Sequence, residues 1–530
     1  MHAEEVPVTE SLSDRTARAV QWRVIGAVIS VLFQLAVGVL LARLLTPADF
    51  GVMTLAVMVL GLAQLLGDLG IGDAVVQRAR LTGHHIRTAF TFSVMLGLAL
   101  AAVMMIAAPL GAILMGDPQV TPVLRVLSAR FVFRGASAVA EALQRRQLDF
   151  RRLFFIDTLS YVLGFGGVAV TLALLGFGVW SLVWGSLVQA LLASVAQLAA
   201  ARHSIRPLLV RRYLTDLLHF GFGSTVSRAV NYLALNGDNF VVGRWIGPAS
   251  LGAYERAYAL MSLPRSYVAN VMSTAMFPAF AQLQAEPTRV RRGYLLLTKL
   301  TATIAAPSMV TLAVVAPHLV RGLYGPQWSG VIVPLQILSI GGYLRALYHL
   351  GGVVAQSHGR VYGEMRRQIV YAGLVIVGAL VGSRYGVPGV AAGVSVATLF
   401  MFIAMAHLAL RITETPWHSY FGVQFGALVA AGITGGVAFA ARILLEARGA
   451  SSVVIALGVV VAAAVPSAIA MLWQLGEPDL EPIRARLPRS LVRLIETLRM
   501  HRRPTPEKTP THAKPLAGDG PGCTGGVKMV

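Results

Sequence analysis

Arginines recur inside stretches that are otherwise apolar enough for lipid. Arg130, Arg134, Ser137 and Glu141 stand four, three and four residues apart within the apolar run 123–143. On a helix that spacing puts all four on one stripe. Arg228, Asn231 and Asp238 form a second stripe in the run ending at Ile246, and Arg23, Ser30, Gln34 and Gly38 a third near the start. Arg256, Arg265 and Arg345 are further cations inside apolar runs, with Tyr232, Asn239, Tyr254 and Tyr258 as polar or aromatic companions. A charged side chain at the centre of a bilayer costs about 2.5–3.5 kcal/mol on insertion scales. These groups must therefore face water or a partner. A guanidinium is a planar fork of donors that matches phosphate oxygens two at a time, so arginines around a wet cleft suit an anionic headgroup. The plainer reading is that they snorkel to the interface or brace the bundle through ion pairs.

Four carboxylates share these runs: Glu141, Asp157, Asp238 and Glu255. Burial disfavours a charged carboxylate, so any of them is a candidate carrier of a coupling proton. The simpler expectation is local neutralisation, Glu141 by Arg145 and Asp238 by nearby basic groups. Little else could do chemistry. The twelve histidines are scattered, Cys523 is the single cysteine, and no glycine-rich phosphate loop with a lysine is present. The expectation is a protein that is not an enzyme and uses no cofactor or metal.

The elements that position these residues are apolar runs of helix length. The chain has 530 residues, 56% hydrophobic and only 13% charged, where soluble proteins have about 25% charged. Runs of about 20 residues are long enough to span a bilayer as helices, and fourteen are read between residues 22 and 474. Segments between them alternate in charge: one holds Arg145, Arg146, Arg151 and Arg152, and the next, at 176–178, holds no cation. By the positive-inside rule the basic set is cytoplasmic, with both termini. The net charge of +21 is thereby spent on topology, and no nucleic-acid partner is expected.

The chain also repeats itself. Arg43, Pro47, Ala48, Gly51 and Ala56 match Arg244, Pro248, Ala249, Gly252 and Ala257 at one offset. Later in each copy Phe177, Gly178 and Gly185 match Tyr385, Gly386 and Gly393, and Leu124, Leu127 and Ser128 match Leu335, Leu338 and Ser339. Six spans per copy is an even number, so the copies share one orientation and form a parallel repeat. The organisation read is a cytoplasmic segment 1–21, a first lobe 22–204, an interfacial linker helix 205–222, a second lobe 223–411, two further spans in 412–474, a basic amphipathic surface helix 475–500 and a disordered tail 501–530.

Residues 41–78, LARLLTPADFGVMTLAVMVLGLAQLLGDLGIGDAVVQR, and 236–264, NGDNFVVGRWIGPASLGAYERAYALMSLP, resemble the polysaccharide (O-unit) flippases. These belong to the multidrug/oligosaccharidyl-lipid/polysaccharide exporter superfamily. The resemblance covers most of residues 15–475. It implies an all-α polytopic protein of about fourteen transmembrane helices, two six-helix lobes in a V plus two C-terminal helices, in a bacterial cytoplasmic (inner) membrane. It further implies that a polyprenyl-pyrophosphate-linked oligosaccharide is turned from the cytoplasmic to the outer leaflet for surface polysaccharide synthesis, with membrane lipid and polymerase or export machinery as neighbours. The arginines Arg23, Arg134, Arg228 and Arg256 carry over by position as cavity cations, with pyrophosphate on them and sugars on Gln34, Asn231 and the tyrosine faces. The rivals are a lipid-linked peptidoglycan precursor flippase, a cation-coupled multidrug exporter, and a membrane glycosyltransferase or polymerase. The exporter would want carboxylates instead of arginines, and the enzymes would want large outer loops that this chain lacks.

Overall fold

The computed structural model describes residues 12–68, 71–78, 81–201, 203–215, 232, 236–284 and 286–474, with side chains except those of 12–25, 27–28, 66–68 and 264–279. No strand occurs among them. The N-terminal half holds α1 (Leu12–Leu44), α2 (Pro47–Asp68), α3 (Ile71–Gln77), α4 (Gly83–Met115), α5 (Val120–Leu127), α6 (Ala129–Arg146), α7 (Phe150–Tyr161), α8 (Val170–Leu174) and α9 (Val179–Ala201). A π-helical stretch, Val162–Ala169, joins α7 to α8. The C-terminal half holds α10 (Pro248–Gln282), α11 (Pro287–Leu323), α12 (Ile332–Ser357), α13 (Val361–Ser383), α14 (Gly386–Ile412), α15 (Trp417–Ala447) and α16 (Ser452–Gln474). Residues 236–241 are helical and pass into a π-turn, Val242–Ile246, just before α10.

Ten helical stretches among the described residues are long and apolar enough to cross a membrane. Their outward faces are apolar, as at Ile106, Leu110 and Ile113 of α4 and Leu457 and Val461 of α16, all exposed. In lipid that is the stable arrangement, because the backbone is satisfied within each helix and side chains need no water. α6, read as part of a span in the sequence, falls outside the ten. The reason for α6 is its load of Arg130, Arg134, Glu141, Arg145 and Arg146. The run 123–143 is also not one helix. It breaks at Ser128, whose hydroxyl donates to the Arg125 carbonyl at 2.6 Å.

The linker departs from expectation as well. Instead of a helix from 205, residues 203–210 are non-helical, and among the described residues of the linker 211–215 are helical. Pro207 lacks an amide donor and restricts Arg206 before it, which disfavours helix there. The non-helical segment is laced to α4: the Leu208 amide donates to Thr91 Oγ1 at 2.9 Å, and Arg87 Nε donates to the Arg206 carbonyl at 3.1 Å. The surface helix read at 475–500 and the tail beyond it lie outside the described residues.

The two halves meet most closely through the residues that repeat. A Cβ on Gly51 would run into the Pro248 carbonyl oxygen, and one on Gly252 into that of Pro47. α2 and α10 thus cross backbone to backbone at their first turns, each glycine facing the other helix's proline. Around this crossing Arg43 Nε donates to the Leu323 carbonyl at 2.8 Å and Trp328 Nε1 to the Ala42 carbonyl at 2.7 Å. Trp328 is fully buried and meets Phe50 edge to face at 5.4 Å. The repeated glycines Gly185 and Gly393 do the same job inside each half. Gly185 packs on Gly164 and Gly393 on Gly378, in each case too tightly for a side chain.

Candidate functional site

α6 is held on two sides, and this aims its polar stripe. Gly97 of α4 and Gly135 of α6 let those backbones touch. On the α9 side, Ser194 Oγ donates to the Phe133 carbonyl at 2.9 Å and Gln144 Nε2 to the Gln197 carbonyl at 3.3 Å. The remaining face carries Arg130, Arg134, Ser137 and Glu141, and all four line one cavity of about 350 Å³. Asp157 of α7, Gln189 and Gln197 of α9, Gln64 of α2 and Tyr232 complete its polar wall. A second chamber of about 170 Å³ shares Gln64, Phe131, Arg134 and Glu141 and extends to Asp73 and Arg145. That is the end that the charge alternation assigns to the cytoplasm.

Within the cavity Arg130 Nη1 donates to Ser186 Oγ at 2.9 Å. Arg134 Nη1 reaches Glu141 Oε2 at 3.2 Å, and Arg145 takes the other oxygen of the same carboxylate. The Arg134 side chain remains 45% exposed, Glu141 only 14%. Tyr232 donates its hydroxyl to the Met58 carbonyl at 3.1 Å and packs against Gly61, where a Cβ would strike it. The described walls are mixed in sign. Arg130, Arg134 and Arg145 face Asp73, Glu141 and Asp157, whereas the sequence led us to expect a cavity dominated by arginine.

The C-terminal half gathers a different polar group. Asp238 Oδ2 accepts from the Tyr254 hydroxyl at 2.8 Å, and Asn239 Nδ2 donates to Glu255 Oε2 at 3.3 Å. Arg345 donates from Nη2 to the Tyr371 hydroxyl at 2.7 Å, which lies 3.3 Å from Thr398 Oγ1. The Arg345 guanidinium sits 5.1 Å from the centre of the Tyr258 ring and acts electrostatically on Asp238. Arg345 Nη1 and Asn239 Oδ1 find no hydrogen-bond partner among the described residues.

The residues singled out from sequence are therefore not in one place. Arg130, Arg134, Glu141, Asp157 and Tyr232 share the N-terminal cavity. Arg345, placed among cavity cations by the sequence reading, is buried at 6% exposure, and Tyr254 and Asn239 are buried too, so neither offers a face to a sugar. Arg256 lies between the halves, its guanidinium 4.1 Å from the centre of the Phe50 ring. Gln34 is exposed on α1 and is not part of the cavity wall. Arg228 and Asn231 lie outside the described residues, as do the side chains of Arg23 and Arg265. Ser186, Gln189 and Gln197 were missed. Their steps of three and eight place them near one face of α9, a signal muted by the alanines and leucines between them.

A profile of the family described as polysaccharide biosynthesis protein matches residues 40–333, more than half of the chain. The chain belongs to this family. Lipopolysaccharide biosynthesis protein WzxC of Escherichia coli K12 is 26% identical over 390 residues, covering 72% of this chain and 78% of that protein. Succinoglycan biosynthesis transport protein ExoT of Rhizobium meliloti is 27% identical over 416 residues, covering 78% and 83%. In fold, this member of the polysaccharide biosynthesis family is similar to the lipid II flippase MurJ in an inward closed conformation, with a TM-score of 0.67 at 14% identity over 85% of this chain and 98% of that one. It is also similar to an inward-facing multidrug resistance transporter of the MATE family, with a TM-score of 0.59 at 20% identity over 75% and 98%. Among the described residues no group of three or more His, Cys, Asp or Glu is placed to hold a metal ion.

Proposed function

We propose that the protein flips polyprenyl-pyrophosphate-linked oligosaccharide units across the bacterial cytoplasmic membrane for surface polysaccharide synthesis. The observation that carries this is Arg130 and Arg134 on one wall of a polar cavity, in a chain of the polysaccharide biosynthesis family. Its full architecture is fourteen spans in two parallel repeats plus two helices, with both termini cytoplasmic. The reciprocal Gly51–Pro248 and Gly252–Pro47 contacts support the repeat. The same contacts join the halves at the outer end and leave the cavity to be loaded from the cytoplasmic side.

In this mechanism Glu141 keeps Arg134 and Arg145 occupied until an anion arrives. A pyrophosphate then replaces the carboxylate with a bidentate, doubly charged partner. Sugars bind the amides of Gln64, Gln189 and Gln197, and the polyprenyl tail stays in lipid. Asp157, on the cavity wall, is the best placed of the carboxylates to take up a coupling proton. Delivery to the outer leaflet hands the unit to polymerase and export machinery.

The test is a deletion strain, which should accumulate lipid-linked intermediates on the cytoplasmic side. The wild-type gene should clear them and Arg130→Ala/Arg134→Ala should not, at equal membrane abundance. Full complementation by that variant would discard the cavity assignment. The likeness of fold to MurJ favours one second reading, a flippase for the lipid-linked peptidoglycan precursor. Rescue of a strain lacking that flippase, without effect on surface polysaccharide, would establish it instead.

A further inference from the structure

A separate pocket of about 510 Å³ opens where the first turns of α13 meet the last turns of α14. Arg360, Arg366, Arg367 and Arg411 line it, with Tyr362 and Leu408 on its apolar side. Arg367 shapes it by clamping the two helices, donating from Nε to the Ala404 carbonyl at 3.0 Å and from Nη1 to the Gly363 carbonyl at 2.7 Å. Arg366 and Arg411 both repel the Arg367 charge. Among the described residues no carboxylate pairs with any of the four. Glu364, one turn away, is engaged by Gln356 Nε2 at 3.2 Å.

Topology alone asks only that cations lie near the cytoplasmic end of a helix. It does not require four guanidiniums to converge on one hollow, where like charges oppose each other. The N-terminal end of α13 adds the positive end of its dipole to the same hollow. Next to it, Tyr362, Met365, Ile369 and Val370 are exposed, and the apolar surface continues to Val377 and Val381. A cationic hollow at the membrane surface, continuous with an apolar helix face, matches a molecule with an anionic head and hydrocarbon chains. We propose that this pocket holds the phosphate headgroup of an anionic phospholipid, whose acyl chains lie along α13.

The test is native mass spectrometry of the purified full-length protein titrated with phosphatidylglycerol, phosphatidylcholine or a polyprenyl phosphate. The wild type should bind phosphatidylglycerol at least tenfold more tightly than phosphatidylcholine. Arg366→Gln/Arg411→Gln should lose that preference, and Arg366→Lys/Arg411→Lys should keep most of it. If the double glutamine variant fails to fold, Arg411→Gln alone should weaken phosphatidylglycerol binding about threefold. Equal phosphatidylglycerol binding by the wild type and the glutamine variant overturns the proposal. So does a variant that loses polyprenyl phosphate yet keeps phosphatidylglycerol, since the pocket would then belong to substrate capture.

Discussion

In the N-terminal half, Arg134 keeps 45% of its side chain exposed and shares Glu141 with Arg145 on a cavity wall. In the C-terminal half, Arg345 is 6% exposed, hands one amino group to Tyr371 and lies over the Tyr258 ring. Both are arginines within runs read from the sequence as membrane spans. The difference is what surrounds them. Arg134 meets polar groups from α7 and α9 around a hollow, so its partners are exchangeable. Arg345 donates to Tyr371, lies over the Tyr258 ring and acts electrostatically on the buried Asp238, so what surrounds it comes from the fold itself. Arg134 is thus left open toward a cavity, whereas Arg345 is enclosed by the protein.

Replacing Arg345 should have the largest effect on stability. Removing one member of a buried charge group typically costs about 3–5 kcal/mol because the other is left uncompensated. Arg345→Leu should therefore lower the melting temperature in detergent sharply. Arg345→Leu/Asp238→Asn should recover part of the loss, and no recovery would break the assigned electrostatic link. The contrasting variant, Arg130→Ala/Arg134→Ala, should melt close to wild type yet reduce export at least tenfold in the deletion strain. Equal losses of stability and export would erase the distinction between the halves.

A smaller effect is expected at the crossing that joins them. Gly51→Ala places a methyl group against the Pro248 carbonyl, and overpacking of this kind costs about 1–3 kcal/mol. Gly252→Ala should match it, because the contact is reciprocal; unequal losses would argue against a symmetric crossing. Least of all, Phe50→Leu removes the ring beneath Arg256, a contact worth about 0.5–2 kcal/mol. It should lower the melting temperature by a few degrees without touching export.

The α6 stripe was legible from its helical spacing, and the glycines at the crossing stood out because they repeat in the sequence. Arg345 was not separable from Arg134 by the same reasoning. Arg134 shares its helix with Arg130, Arg145 and Arg146 whereas Arg345 is the single arginine of α12, but the spacing on neither helix states what surrounds the guanidinium, and the tyrosines that enclose Arg345 come from α10 and α13, far along the chain. The acidic share of the cavity was underestimated for a related reason: Asp73 lies in the short α3, and only the packing of α3 on α6 brings it to the wall. Pro207 explains why the linker is not helical at its start, and that signal was present but outweighed by the amphipathic pattern around it.

Taken alone, the chain's residues determined an all-helical membrane protein with a polar face on α6. Helix length, 3.6-residue periodicity and the cost of charge in lipid are local properties that a sequence states directly. Tertiary structure alone decided which charges meet a cavity and which are sealed, because solvation depends on side chains brought in from distant helices.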